Sequence, residues 1–394
     1  MTKETAAFAG CFILAASLVA GSAFYQGMPD PDHYRVYAEK YADYFFGHGH
    51  APDCYRPPLY PMLLAPIVHF SAHATAWIIF FHILLTITVL AATWRIARTF
   101  AASAHVPVVA CLFVAVDPIL VFQSGQVMTE TVFTAILMWT ILPWLGDQKQ
   151  PPLHPLLTGV LAGLGFLTRP AMAPLFAGIG VAQVLQPPRR RAWLMSAVVA
   201  AALSLPWALR NKELLGETVF TTTHGGYTLW LGNNPSFFEY EVVGRQNWAG
   251  SAAFDRWQDR NRELTAGENE LGKDGYFRSA ALQWMREHPT DAFQGAFYRL
   301  SMFWGLTPRT GPSSVRPMVG VYYGIFFTLA AAGWIITQSW RGAWLVATLV
   351  VVALSLVHTI YWSNMRFRAP LEPLLAIWAA AAVDCLWRRF RPAT

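Results

Sequence analysis

Charge is scarce in this chain. Only 13% of its 394 residues are Asp, Glu, Lys or Arg, against about 25% in a soluble domain, which excludes a water-soluble globule as the main architecture. Cysteine is scarce too. Cys11, Cys111 and Cys385 fall inside apolar runs and Cys54 alone lies outside them, so the four make no disulfide framework. The chain lacks a glycine-rich phosphate loop after a strand, a nucleophile elbow and zinc-ligand spacing, which argues against P-loop, serine-hydrolase and structural-zinc chemistry. No tandem repeat at the familiar periods and no low-complexity linker divides it. The net charge is +6, but no basic stripe is interleaved with aromatics, and no nucleic-acid partner is expected.

What the chain has in abundance is apolar sequence: 55% of its residues are hydrophobic, and 17 are tryptophan, a side chain that favours the bilayer interface. A helix needs about 20 mainly apolar residues to cross the hydrocarbon core. By that measure spans are expected near 6–24, 74–94, 104–122, 128–146, 155–168, 171–186, 192–208, 317–338, 343–362 and 370–387. The fifth and sixth are short and meet at "LTRPA", as a tight hairpin would. The fold class is therefore an all-α polytopic membrane protein of about ten transmembrane helices. The first run ends in small residues, "GSAF", as a cleaved signal peptide can, but its weak basic start and long apolar stretch favour a retained helix.

Lys and Arg collect on the cytoplasmic side of membrane proteins. With Lys3 inside and ten crossings, the same side receives Arg95, Arg98, Lys149, Arg189, Arg190, Arg191, Arg341, Arg388, Arg389 and Arg391. Both termini are then cytoplasmic, and the positive charge is mostly a topology signal. Two connections reach the outer side. The first (25–71) joins residues 1–208 as part of an N-terminal membrane module; the second (209–316) reads as a small helical subdomain; residues 317–394 supply the last spans. Within the first connection, Tyr34, Tyr37, Ala38, Tyr41 and Phe45 recur at helical spacing. That predicts an interfacial helix with rings toward lipid and Arg35, Glu39 and Lys40 toward water.

Several arginines break the charge rule by sitting at the outer level: Arg56, Arg169, Arg210, Arg366 and Arg368. One alone would be a side chain snorkelling to headgroups. Five at one depth suit a phosphate, which guanidinium groups bind by bidentate, charge-assisted hydrogen bonds. Carboxylates gather at the same level: Asp30 and Asp32 in "DPD", Asp117 before Pro118, and Glu130. Asp43 and Asp53 read as solvated loop acids, Asp117 equally as a turn or helix-end residue, and Glu130 equally as a favourable charge at a helix start. Acids here can accept a proton from a hydroxyl or hold a divalent cation. Metal candidates are Asp30, Asp32, Glu130, His48 and His50, although histidines in a glycine-rich loop such as "FGHGHAP" are commonly structural. His224 and His358 give weaker signals still.

These pieces resemble the membrane glycosyltransferases of the GT-C superfamily, in particular the bacterial relatives of protein O-mannosyltransferases (glycosyltransferase family 39) and of the lipid A aminoarabinose transferase. The resemblance is carried in order by "PDPDHYRVYAEKYA", "YRPPLYPMLLAP", "TETVFTAILMW", "GVLAGLGFLTRPAMAPL", "PWALRNKELLGE", "GYTLWLGNNP", "HPTDAFQGAFYRLSMFW" and "RFRAPLEPLLAIWAAAA". Each piece is short and of low specificity, and the likeness lies in their joint order and sidedness. It implies a polyprenyl-phosphate-linked sugar donor, an acceptor glycan, lipid or protein, and chemistry at the outer face of a bacterial inner membrane. It also implies a general base in the first outer loop, matching Asp30 with Asp32 as the alternative. Glu130 would support the acceptor or a divalent cation (Mg or Mn). Arg366 and Arg368, joined by Arg56, would grip the donor phosphate. The chain is shorter than larger members, which have extra spans and a bigger C-terminal soluble domain, so the acceptor class stays open. A transporter or flippase, the alternative, would show related halves and midplane polar groups, neither of which is evident. A non-catalytic membrane scaffold would need no acids in the first loop.

Overall fold

In the computed structural model, residues 3–100, 103–146, 154–184 and 186–390 are described, and all regular structure among them is helical. The first half holds α1 (Lys3–Gln26), α2 (Tyr34–Phe46), α3 (Leu59–Phe70), α4 (Ala74–Phe100) and α5 (His105–Val116). It continues with α6 (Pro118–Ser124), α7 (Glu130–Ile141), α8 (Pro155–Thr168), α9 (Met172–Gln183) and α10 (Pro187–Leu215). The long second connection folds into α11 (Gly225–Gly232), α12 (Pro235–Phe237), α13 (Ala252–Leu264), α14 (Glu270–Glu287) and α15 (Pro289–Phe303). Then follow α16 (Val315–Ile336), α17 (Trp344–Ile360) and α18 (Glu372–Phe390).

All ten apolar runs are helical, but they are not ten equal spans. Among the described residues, five helices are long and apolar enough to cross a membrane: α1, α4, α10, α16, and α18 with the turn before it. The bent pair α5–α6 makes a sixth. The chain is an integral membrane protein. The other apolar runs give α7, α8, α9 and α17, of 12, 14, 12 and 17 residues. At 1.5 Å per residue a 12-residue helix is about 18 Å long, short of the roughly 30 Å hydrocarbon core. Lys149 and Arg391, counted in the charge bias, lie outside the described residues.

The break between α5 and α6 has a local cause. Pro118 has no amide hydrogen to continue α5. Asp117 is extended there (φ −61°, ψ 122°), and its side chain caps α6 by accepting from Leu120 N at 2.9 Å. The axes bend by 54°. Tyr323 of α16 donates its hydroxyl to the same carboxylate at 3.1 Å, which pins the break inside the bundle. Asp117 is therefore the turn residue that the sequence offered as one of its readings.

The helix expected in the first connection forms as α2, but its rings do not all turn to lipid. Tyr34, Ala38, Tyr41 and Ala42 are buried within the protein, while Tyr44, Phe45 and Phe46 are exposed. The reason is α3, which lies against α2 and supplies the buried Tyr60, Leu64 and Ala65. Tyr34 meets Tyr60 edge-on at 5.4 Å, and Tyr41 reaches Trp207 of α10 at 6.5 Å. The pair α2–α3 lies at one end of the bundle, with α11–α15. We refer to it as the loop end.

Candidate active site

The turn after α1 decides where its two aspartates point. Gly27, Met28 and His33 all adopt the left-handed region, at φ of 71°, 53° and 60°, and the two non-glycine residues carry strain there. Asp30 is used up locally: its Oδ1 accepts from Tyr34 N at 2.7 Å and its Oδ2 from Arg35 N at 2.8 Å, which caps α2. Burial pushes its pKa up despite those two bonds. Asp32, on the other side of Pro31, faces the opposite way. Its Oδ1 accepts from Arg56 Nη2 at 3.1 Å, and its Oδ2 lies 3.6 Å from Arg366 Nη2.

Glu130 closes the same cluster from below. It starts α7 and is 1% exposed; its Oε1 lies 3.3 Å from Arg169 Nη1 and 3.7 Å from Arg366 Nε. Arg169 sits in the α8–α9 turn, extended ahead of Pro170, where α8 has just ended. Arg366 follows α17 in a 3-10 turn, Met365–Leu371. Phe367 lies between the two guanidiniums, 5.3 Å from Arg169 and 4.9 Å from Arg366. Three arginines and two carboxylates from five separate segments thus share one site at the loop end, and leave it one positive charge in excess.

The cluster has hydrogen-bonding capacity to spare. Glu130 Oε1 and Oε2, Arg56 Nε, Arg169 Nη1 and Arg366 Nε are buried without a hydrogen-bond partner among the described residues. Their ion pairs hold charge against charge at distances that leave individual N–H groups free for a ligand. For Asp32, burial alone would raise the pKa, but Arg56 and Arg366 outweigh it and hold the carboxyl below its usual range.

Two of the proposed phosphate arginines are engaged elsewhere. Arg368, fully buried, pairs through Nε with Glu372 Oε1 at 2.7 Å. Its Nη1 donates to the carbonyls of Phe303 at 2.8 Å and Gly305 at 2.7 Å, so it caps the C-terminus of α15. Arg210 donates to Pro52 O, Asn211 Oδ1 and Cys54 Sγ, and stacks on Trp207 at 4.4 Å, which ties the first connection to α10. Asp30, as a cap, also stays out of the cluster. His48 and His50 lie exposed past the end of α2. Among the described residues no three His, Cys, Asp or Glu side chains converge as a metal would require. At Asp32 and Glu130 the positions beside the carboxylates are held by guanidiniums, and the excess positive charge disfavours a cation. The donor set does not fit Mg or Mn; it fits an anion.

Tyr55, Tyr227 and Phe367 around this cluster had no signal of their own in the sequence beyond the adjacency of Tyr55 to Arg56 and of Phe367 to Arg366.

Comparison with known proteins bears on the fold. The model of the dolichyl-phosphate-mannose-protein mannosyltransferase family matches residues 55–209. No curated protein sequence matches significantly. Among solved structures, the apo Archaeoglobus fulgidus oligosaccharyltransferase superposes with a TM-score of 0.58 at 15% identity, over 98% of this chain and 51% of that one. The archaeal oligosaccharyltransferase AglB from the same organism, in complex with an inhibitory peptide and a dolichol-phosphate, gives 0.57 at 13% identity over 97% and 50%. ArnT from Cupriavidus metallidurans bound to undecaprenyl phosphate gives a weaker superposition, 0.45 at 13% identity over 95% and 78%. The chain spans about half the length of the oligosaccharyltransferase chains it matches. Its fold is that of the matched half of the oligosaccharyltransferase, and its residues 55–209 are similar to the dolichyl-phosphate-mannose-protein mannosyltransferase family.

Proposed function

We propose that this chain transfers a sugar from a polyprenyl-phosphate donor to an acceptor hydroxyl at the outer face of a bacterial inner membrane, with both termini in the cytoplasm. The observation that carries the reading is the cluster of Arg56, Arg169 and Arg366 around Asp32 and Glu130. Its single excess positive charge matches the single negative charge of a sugar phosphodiester. When the glycosidic bond breaks, the departing lipid becomes a phosphate monoester of about −1.5 to −2 charge. The guanidiniums therefore favour the leaving group more than the donor, which is how a site lowers a barrier instead of merely binding substrate.

Asp32 is the better-placed base. It is 23% exposed at the edge of the cluster, where an acceptor can arrive, while Glu130 is enclosed and holds Arg169 and Arg366 in position. In the reaction the acceptor oxygen bonds to the anomeric carbon as its proton passes to an Asp32 oxygen. The bond from that carbon to the phosphate oxygen breaks, and its electron pair leaves with the polyprenyl phosphate. A single displacement inverts the anomeric centre. Arg56 and Arg366 depress the basicity of Asp32 in the empty site; a phosphate that draws on the same guanidiniums raises it when the donor is bound.

The test is transfer in proteoliposomes from radiolabelled undecaprenyl-phosphate sugars to the membrane fraction of the source cells. Wild-type protein is expected to move label from at least one donor, and Asp32→Asn to move none above background. Full transfer by Asp32→Asn would remove the assignment of the base. Failure of the wild type with donors bearing glucose, mannose and arabinose would argue against the donor class.

A further inference from the structure

Beside the Asp32–Arg56 pair, three rings pack in a contiguous aromatic cluster. Tyr55 immediately precedes Arg56, and its ring centroid lies 4.4 Å from that of His224 at an interplanar angle of 68°. His224 in turn stacks on Tyr227 at 5.2 Å and 30°. All three residues are half-buried, so part of the cluster is open. They come from two different connections that are zipped together. Thr223 N donates to Cys54 O at 3.0 Å, and the Thr222 hydroxyl donates to Tyr55 O. Glu270 of α14 joins the seam by accepting from Cys54 N at 3.2 Å and from the Thr223 hydroxyl at 3.0 Å. His224 N is bound to Thr222 Oγ1 at 3.1 Å, and His224 O accepts from Thr228 N at 3.2 Å.

This much construction fixes the imidazole, yet its Nδ1 is buried with no hydrogen-bond partner among the described residues. Leaving such a group unmatched is costly, and a site that binds a polar ligand is where that cost is met. Burial, reinforced by Arg56 and opposed by Asp32, pulls the His224 pKa down to about 3. The ring is then neutral at physiological pH, so it neither adds to the positive cluster nor supplies a proton. What remains is a neutral hydrogen-bonding edge between two phenol rings. Such a surface suits a saccharide: the aromatic faces take its C–H side, and the imidazole nitrogen takes one hydroxyl. Position selects which saccharide. The donor sugar is joined directly to the phosphate, and the Arg56 guanidinium lies 5.3 Å from the Tyr55 ring centroid. A phosphate held by Arg56 sets the attached sugar ring against Tyr55.

We propose that Tyr55, His224 and Tyr227 form the wall that receives the sugar ring of the lipid-linked donor, with the His224 imidazole bonded to one ring hydroxyl. The proposal rests on the donor reading above and adds the part of the donor that is recognised. It is tested by binding to the purified full chain, with undecaprenyl phosphate as the sugar-free probe and undecaprenyl phosphates carrying glucose, mannose or arabinose as the sugar-bearing probes. His224→Phe keeps a ring in the stack and removes both nitrogens; His224→Gln restores a hydrogen-bonding group; Tyr227→Leu removes one phenol face. The melting temperature of each variant reports its folding. The expected result is that His224→Phe weakens the tightest sugar-bearing probe about tenfold and leaves the sugar-free probe unchanged. His224→Gln recovers most of that loss, and Tyr227→Leu lowers the same selectivity. Equal affinity of folded His224→Phe and wild type for every sugar-bearing probe overturns the wall, as does an equal loss for both kinds of probe. If wild-type protein binds neither kind, the donor reading itself falls and takes the wall with it.

Discussion

Replacing Arg366 by alanine separates ligand-binding arginines from structural ones. Its guanidinium lies 3.6 Å from Asp32 Oδ2 and 3.7 Å from Glu130 Oε1, with 27% of the side chain exposed. Alanine removes one of the three cations, so the excess charge of the cluster falls from one to zero. At 4 Å and an effective dielectric of about 20, a phosphate would lose about 4 kcal/mol of attraction. A charge-assisted hydrogen bond contributes less, about 1.5–3 kcal/mol net, and the partial exposure of Arg366 places it toward that lower range. A loss of about 2 kcal/mol is about 30-fold in Kd. The fold should tolerate the change, because Asp32 keeps Arg56 and Glu130 keeps Arg169. The assay is titration of undecaprenyl phosphate into protein in nanodiscs, with a melting curve for each sample. Wild-type affinity, within twofold, in a folded Arg366→Ala protein would refute the reasoning. So would an equal loss of affinity in a folded Arg368→Ala protein.

The other predictions follow from the same geometry. Arg368→Ala leaves Glu372 buried and unpaired and two carbonyls of the α15 end without their donor. It is expected to cost about 3–5 kcal/mol of stability, seen as a lower melting temperature, with Kd for undecaprenyl phosphate unchanged in whatever fraction folds. Asp32→Asn is expected to lower kcat by about 10²–10⁴ with donor affinity retained, as measured in the proteoliposome assay. Asp30→Asn keeps an acceptor for the α2 cap and should stay within a few-fold of wild type. The depressed pKa of Asp32 also fixes a sign with pH. Its ion pairs stabilise the fold above its unfolded value of about 3.9, and that contribution is lost as pH falls from there through the lower folded value. Melting curves below about pH 4 should therefore fall less steeply in Asp32→Asn than in wild type, and parallel curves would contradict the pairing.

The grouping of the candidate residues was legible in the sequence, and their directions were not. Hydropathy and charge bias placed the arginines and acids at one end of the chain's helices, and Asp117-Pro118 announced the broken helix with its own cap. The helix α3 was hidden by Pro58, Pro61 and Pro66, so α2 was given to lipid when its inner face belongs against Tyr60 and Leu64. In "DPD" the two acids differ by what the next helix needs. Asp30 stands four residues before Tyr34, within reach of the first free amides of α2, and it is taken by them. Asp32 is too close to that helix start to turn back on it, and so remains for Arg56 and Arg366.

The arginines sort by the same demand. An unsatisfied carbonyl at a buried helix end competes with any ligand for a guanidinium, and tertiary packing alone decides where such ends fall. The open end of α15 comes to lie beside Arg368, more than sixty residues later in sequence, and claims it. Arg299 is claimed in the same way by Gly232 O and Thr359 O. Arg56, Arg169 and Arg366 meet carboxylates instead, and an ion pair that leaves N–H groups unbonded keeps its capacity for a phosphate. Arg366 and Arg368 lie two residues apart in one short turn, so sequence proximity could not distinguish them. What separates ligand grip from scaffold here is whether peptide carbonyls claim the guanidinium: Arg368 gives Nη1 to two of them besides its Glu372 pair, whereas Arg169 and Arg366 meet carboxylates alone.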